Sequence, residues 1–182
     1  MVNICKVQLT ILQQEILRLL FIKAGSKLNA RAISKALGVS QPAVSKALPV
    51  LEKRGFILVS KDKGSKRLSI ELNREDQKVI WLKRADNLKQ VYESGLAQLL
   101  YDEFRGAVII LFGSYAFGED TEDSDIDFVV IGVKKKDIEL SQYENTLGRK
   151  IVINHFGSFG RIDKPLLNNI LNGITLKGAI EL

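Results

Sequence analysis

The sequence predicts an α+β chain of two small domains, and three observations carry that expectation. Residues 9–51 hold three short amphipathic segments of helical period, broken by a glycine turn and followed after Gly55 by two short strands. Residues 107–131 hold two apolar strands around a Gly-Ser turn and an acidic loop, the makings of a small mixed sheet. Charge divides in the same place: residues 1–72 carry 13 Lys+Arg against 4 Asp+Glu, a net of +9, whereas residues 73–182 carry 14 against 17, a net of −3. The expected division is 1–74, a connecting helix or pair of helices over 75–104, and 105–182, since 182 residues leave room for two small cores.

In the first domain, Leu9, Leu12, Ile16, Leu19, Leu20 and Ile22 recur at mostly three- and four-residue steps, and Thr10 is placed to cap that helix. Asn29 caps a second helix, Ala30 to Leu37, closed by Gly38, a residue that adopts the left-handed conformation without cost. Ser40 caps a third, with Pro42 in its first turn, where a missing N–H is harmless, and with Ala43, Val44, Ala47, Leu48 and Leu51 facing inward. Pro49 lies inside this helix and is expected to kink or shorten it. Residues 56–60 and 68–72 read as two strands around the basic turn Lys61-Asp62-Lys63-Gly64-Ser65-Lys66-Arg67.

The run Ala32-Ile33-Ser34, Leu37-Gly38-Val39-Ser40-Gln41-Pro42-Ala43-Val44-Ser45, Leu48, Leu51-Glu52, Gly55-Phe56-Ile57 resembles winged helix-turn-helix regulators of the MarR and ArsR kind. That resemblance implies double-stranded DNA as partner: the third helix lies in a major groove, presenting Gln41, Ser45 and Lys46, and the hairpin sets Lys61, Lys63, Lys66 and Arg67 on flanking backbone. The residue types suit the task, since Gln pairs bidentately with adenine and the basic side chains release counterions on meeting phosphate. Such regulators commonly pair two recognition helices with two half-sites, so a homodimer is expected.

From Glu75 to Phe104 apolar residues recur at helical spacing with only Gly95 as a breaker, so one long helix or two joined at Gly95 is expected, with Trp81 as a packing residue. Beyond it, the apolar run 107–112 ends in Gly113-Ser114, and Asp125-Ile126-Asp127 opens a second apolar strand on which the two carboxylates share a face. Paired carboxylates at that range repel unless a cation lies between them; Mg2+ is the natural ion, taking its remaining oxygens from water and a nucleoside triphosphate. Glycine at the turn lets backbone approach phosphate, and the Ser114 hydroxyl and neighbouring N–H groups bind its oxygens.

The signature Gly113-Ser114-Tyr115-Ala116-Phe117-Gly118, five residues, Ser124-Asp125-Ile126-Asp127 resembles the minimal nucleotidyltransferases of the DNA polymerase beta superfamily, and Asn172-Gly173-Ile174, Leu176 and Gly178 resemble that family's last segment. The resemblance implies Asp125 and Asp127 as catalytic and Mg2+-holding residues and Gly113, Ser114 and Ser124 as nucleotide-binding ones. The reaction it implies is transfer of a nucleoside monophosphate, with ATP the first donor, to a hydroxyl; some members are antitoxins that modify a toxin, which brings in a protein partner. Two departures stand out. Phe117 replaces a frequent arginine, and residues 150–156, Lys-Ile-Val-Ile-Asn-His-Phe, hold no third carboxylate, leaving Asn154 or His155 as substitutes.

Three readings follow: a regulator that transfers nucleotides, a regulator whose inactive second domain binds an effector or a partner, and an adaptor that binds proteins alone. Lys134-Lys135-Lys136 reads as a solvated helix start. Cys5 alone allows no intramolecular disulfide, the first residues show no charged-then-apolar leader, and no apolar run nears the roughly 18–20 residues that span a bilayer. A cytoplasmic protein is expected.

Overall fold

The computed structural model describes residues 9–61 and 68–181, which fall into two compact units dividing after Val79. In the first, α1 (Ile11–Ile22), α2 (Ala30–Leu37) and α3 (Gln41–Lys53) precede an antiparallel hairpin of β1 (Ile57–Lys61) and β2 (Leu68–Leu72). Each helix start is satisfied by a side chain. Gln13 N–H donates to Thr10 Oγ1 while Gln13 Oε1 accepts from Thr10 N–H, Ala32 N–H donates to Asn29 Oδ1 at 2.9 Å, and Ala43 N–H donates to Ser40 Oγ at 3.3 Å. Gly38 ends α2 at φ +66°, the left-handed cap its position called for.

Ile16, Leu20, Ile33, Val44, Leu51, Ile57 and Ile70 form the buried core of this unit. Leu28 and Ile70 exchange backbone hydrogen bonds at 2.8 and 2.7 Å, which pins the α1–α2 connection to β2. Pro49 does not shorten α3, which runs from Gln41 to Lys53 through it. Pro49 is exposed, so its ring meets solvent rather than core, and one missing N–H does not end the helix.

The second unit takes most of α4 (Gln77–Glu93), then α5 (Leu96–Glu103), β3 (Val108–Phe112), the single turn α6 (Gly113–Phe117), β4 (Ile126–Ile131), α7 (Ser141–Leu147), β5 (Ile151–Phe156), α8 (Lys164–Leu171) and β6 (Ile174–Lys177). The expected helical stretch is two helices meeting at Gly95, whose φ is +81°. The sheet is mixed, in the order β5-β4-β3-β6: β3 runs antiparallel to β4 and to β6, while β4 and β5 are parallel. One face carries Ile109, Leu111, Ile126, Phe128, Val130 and Ile151 against Leu96, Leu100 and Phe104 of the α5 region. The other carries Ile110, Phe112, Val129 and Ile131 against Phe159, Ile162 and Ile170.

Two further expectations are corrected. Trp81 is 61% exposed, because α4 turns Lys83, Asn87 and Val91 inward instead of its most apolar stripe. Lys134, Lys135 and Lys136 are exposed, but the helix begins only at Ser141. Among the described residues no helix is long and apolar enough to cross a membrane.

Candidate functional site

On the first unit, α3 places Gln41, Ser45 and Lys46 on its exposed side while Val44, Ala47, Leu48 and Leu51 hold it to the core. The 3.6-residue period does this: 41, 45 and 46 fall on the arc opposite 44, 47, 48 and 51. Lys61 is exposed at the end of β1; Lys63, Lys66 and Arg67 lie outside the described residues. Gln41 and Ser45 line a cleft of about 280 Å³ that also takes in Asn29, Arg31 and Leu68. Arg31, exposed in the first turn of α2, escaped the sequence reading; its signal was a basic residue two places after the cap Asn29.

On the second unit the residues expected to bind nucleotide gather where β3 ends and β4 begins. Strand register sets Phe112 of β3, Asp127 of β4 and Val152 of β5 side by side on one face of the sheet. Gly113 follows at φ +75°, and a Cβ there would lie 2.8 Å from Asp127 Oδ2. The backbone conformation favours glycine, and any larger residue would also push the Asp127 carboxylate aside. Ser114 follows in α6, half-buried. Asp125 stands exposed just before β4, close enough that its charge raises the Asp127 pKa, the larger cause being burial of Asp127 itself.

Ser124 is spent on the loop: its Oγ accepts from Thr121 N–H at 2.9 Å and its own N–H donates to Thr121 O at 3.2 Å. The acidic loop beginning at Glu119 is not uniformly solvated, for Asp120 is buried. That residue was missed, and no local pattern marks it, because its partners are remote in sequence.

The two substitutes for a third carboxylate part company. Asn154 pairs with Val129 and so lies on the Asp127 face, one residue pair further along; His155 pairs with Val130 on the opposite face, its ring 5.3 Å edge-on from Phe104. His155 cannot reach the carboxylate pair, which corrects the expectation that it substitutes there. Its Nδ1 is buried with no hydrogen-bond partner among the described residues, and burial, seconded by Lys135 and opposed by Asp137, lowers its pKa. The place directly beside Asp127 belongs to Val152.

Among the described residues no three His, Cys, Asp or Glu side chains are grouped to hold a metal. The donors present, two carboxylates beside a glycine-lined approach, still fit a hard divalent ion that draws its other oxygens from phosphate and water. A cation there would relieve the mutual repulsion that raises Asp127.

Comparison with known proteins agrees with this geometry. Residues 9–69 match the MarR family, and residues 94–161 match the nucleotidyltransferase domain. No curated protein matches. Among solved structures, a cysteine-to-serine mutant of Lactococcus lactis ZitR shares 23% identity over 58% of this chain and 68% of its own, at a TM-score of 0.43. Streptococcus pyogenes adhesin competence repressor AdcR shares 28% over 52% and 68%, at 0.38, and Staphylococcus aureus MepR, solved as a DNA complex, 25% over 52% and 81%, at 0.38. At those scores the likeness carries no functional weight. By the family matches, residues 9–69 form a MarR-type winged-helix domain and residues 94–161 a nucleotidyltransferase domain.

Proposed function

We propose that this chain is a cytoplasmic transcription regulator that reads double-stranded DNA with its first domain and binds a magnesium nucleoside triphosphate, ATP first among them, with its second. The triphosphate acts as an effector. The observation that carries this reading is the row Phe112, Asp127, Val152: the binding half of the site is intact, and an apolar side chain stands where a third carboxylate would meet the pair.

Asp125 and Asp127 hold the ion, which when bound neutralises triphosphate oxygens. Gly113 gives those oxygens a close approach and Ser114 offers them a donor, while Ser124 sets the turn ahead of Asp125. On DNA, Gln41 reads a base edge, Ser45 and Lys46 contact base or phosphate, and Lys61, Lys63, Lys66 and Arg67 bind flanking backbone. A homodimer presents two such helices to two half-sites.

A second reading, transfer of a nucleoside monophosphate to the hydroxyl of a protein partner such as a toxin, draws support from the match of residues 94–161 to the nucleotidyltransferase domain. Calorimetric titration with ATP and the other triphosphates, with and without Mg2+, tests the site in the wild type and in an Asp125→Ala, Asp127→Ala double variant. Magnesium-dependent binding lost in the variant is expected; no binding to any triphosphate overturns the reading. Pyrophosphate release alongside would favour transfer over sensing.

A further inference from the structure

We infer that Asp120 is a positioning residue of the nucleotide site: clamped between Lys83 and Arg149, it fixes the path of residues 118–125 and so places Ser124 and Asp125. The inference rests on the nucleotide-binding reading above. The three side chains are almost wholly buried, at 0%, 1% and 3% exposure for Asp120, Lys83 and Arg149.

Lys83, Asn87 and Arg149 all direct polar contacts at this one loop. Lys83 Nζ pairs with Asp120 Oδ1, to which Asn87 Nδ2 also donates at 2.7 Å; the same nitrogen donates to Tyr115 O at 2.9 Å. Arg149 Nη2 donates to Asp120 Oδ2 at 3.0 Å, and its Nη1 donates to Thr121 O. That carbonyl also accepts from Ser124 N–H, and Thr121 N–H donates to Ser124 Oγ, so the turn running into Asp125 hangs from the guanidinium. At the other end of the loop Gly118 lies against α4: a Cβ there would come within 2.5 Å of Ile80 O and 2.8 Å of Arg84 N.

Stability alone does not account for charges in this place. Replacing a buried ionic cluster by apolar side chains of similar volume is often neutral or stabilising, because desolvation offsets the Coulombic gain. What the charges add is direction. A forked guanidinium and a doubly engaged carboxylate define bond angles that apolar packing leaves loose. They tie together three segments around the carboxylate pair: α4, the loop ending at Asp125, and Arg149, two residues ahead of the Ile151 that pairs with Ile126.

The test uses the full chain as wild type, as D120N, and as the apolar triple variant K83M, D120L, R149M, with the Asp125→Ala, Asp127→Ala protein as control. Three readouts are taken: Mg–ATP affinity by calorimetry, melting by circular dichroism, and amide hydrogen exchange over residues 119–126. D120N is expected to weaken Mg–ATP by about 10- to 100-fold. The triple variant is expected to melt no lower than wild type, yet to bind as weakly as D120N and to exchange faster over 119–126. Wild-type affinity in a folded triple variant, or unchanged protection over 119–126, overturns the proposal. Failure of both variants to fold overturns it too, since the cluster would then serve the fold itself. If wild type binds no Mg–ATP, the nucleotide reading falls separately, and hydrogen exchange alone decides whether Asp120 orders the loop.

Discussion

Thr10 and Gln13 close the first helix across three residues, whereas Asp120 finds Lys83 across 37 and Arg149 across 29. The contrast marks the two candidate sites. In the first unit each helix start is written by a cap and an N–H three residues on, and the helix side chains that would meet DNA stand exposed on α3. In the second, the site is a meeting of strands and a buried charge cluster, each held by residues far off in the chain. Local chemistry makes a surface that tolerates change, and distant partners make one that does not.

The largest expected effect lies in the second unit. Gly118→Ala sets a Cβ against backbone atoms of α4 that cannot turn aside, at a φ of +78°, and should cost about 3 kcal/mol or more, read as a lower melting temperature. Next comes Gln41→Ala, which should weaken binding to a selected DNA site by about 1–3 kcal/mol while sparing random DNA; equal losses on both would make Gln41 a backbone contact. Gly38→Ala is the matched control for Gly118. Its φ of +66° is similar, but a Cβ would meet nothing within 4 Å, so only the backbone term of about 1 kcal/mol is expected. Equal losses at the two glycines would break the contrast between units.

The smallest effect concerns His155. Its folded pKa is lowered, so the folded state favours the neutral ring, and stability is lost as pH falls through the ordinary value of 6.5. His155→Phe should abolish that slope and, by removing the unpartnered Nδ1 beside Phe104, gain about 1 kcal/mol at pH 7, measured by denaturant titration at several pH values.

Most of the first unit was legible because capping, glycine conformation and the 3.6-residue period are decided within a turn. Pro49 misled for the complementary reason: the rule it breaks is local, while its exposure, which makes the break harmless, is set by packing. In the second unit the strands and Gly113, Asp125 and Asp127 could be read, as apolar runs and a spaced signature are visible in one dimension. Register was not. Only the pairing of Asp127 with Val152 and of Val130 with His155 tells which residue of β5 faces the carboxylates. Trp81 failed likewise, since the polar answer of Lys83 and Asn87 to Asp120 decides which side of α4 is buried.

Trp81 is the single tryptophan of the chain, it is mostly exposed, and it stands two residues from Lys83 on the same helix. All indole emission from the protein therefore originates at one place on α4, shifted toward the red by a mostly wetted ring. Any event that dries that stretch of helix, whether a second copy, a partner or a rearrangement, will be seen as a blue shift in the native protein, with no dye attached and no second indole to dilute the signal.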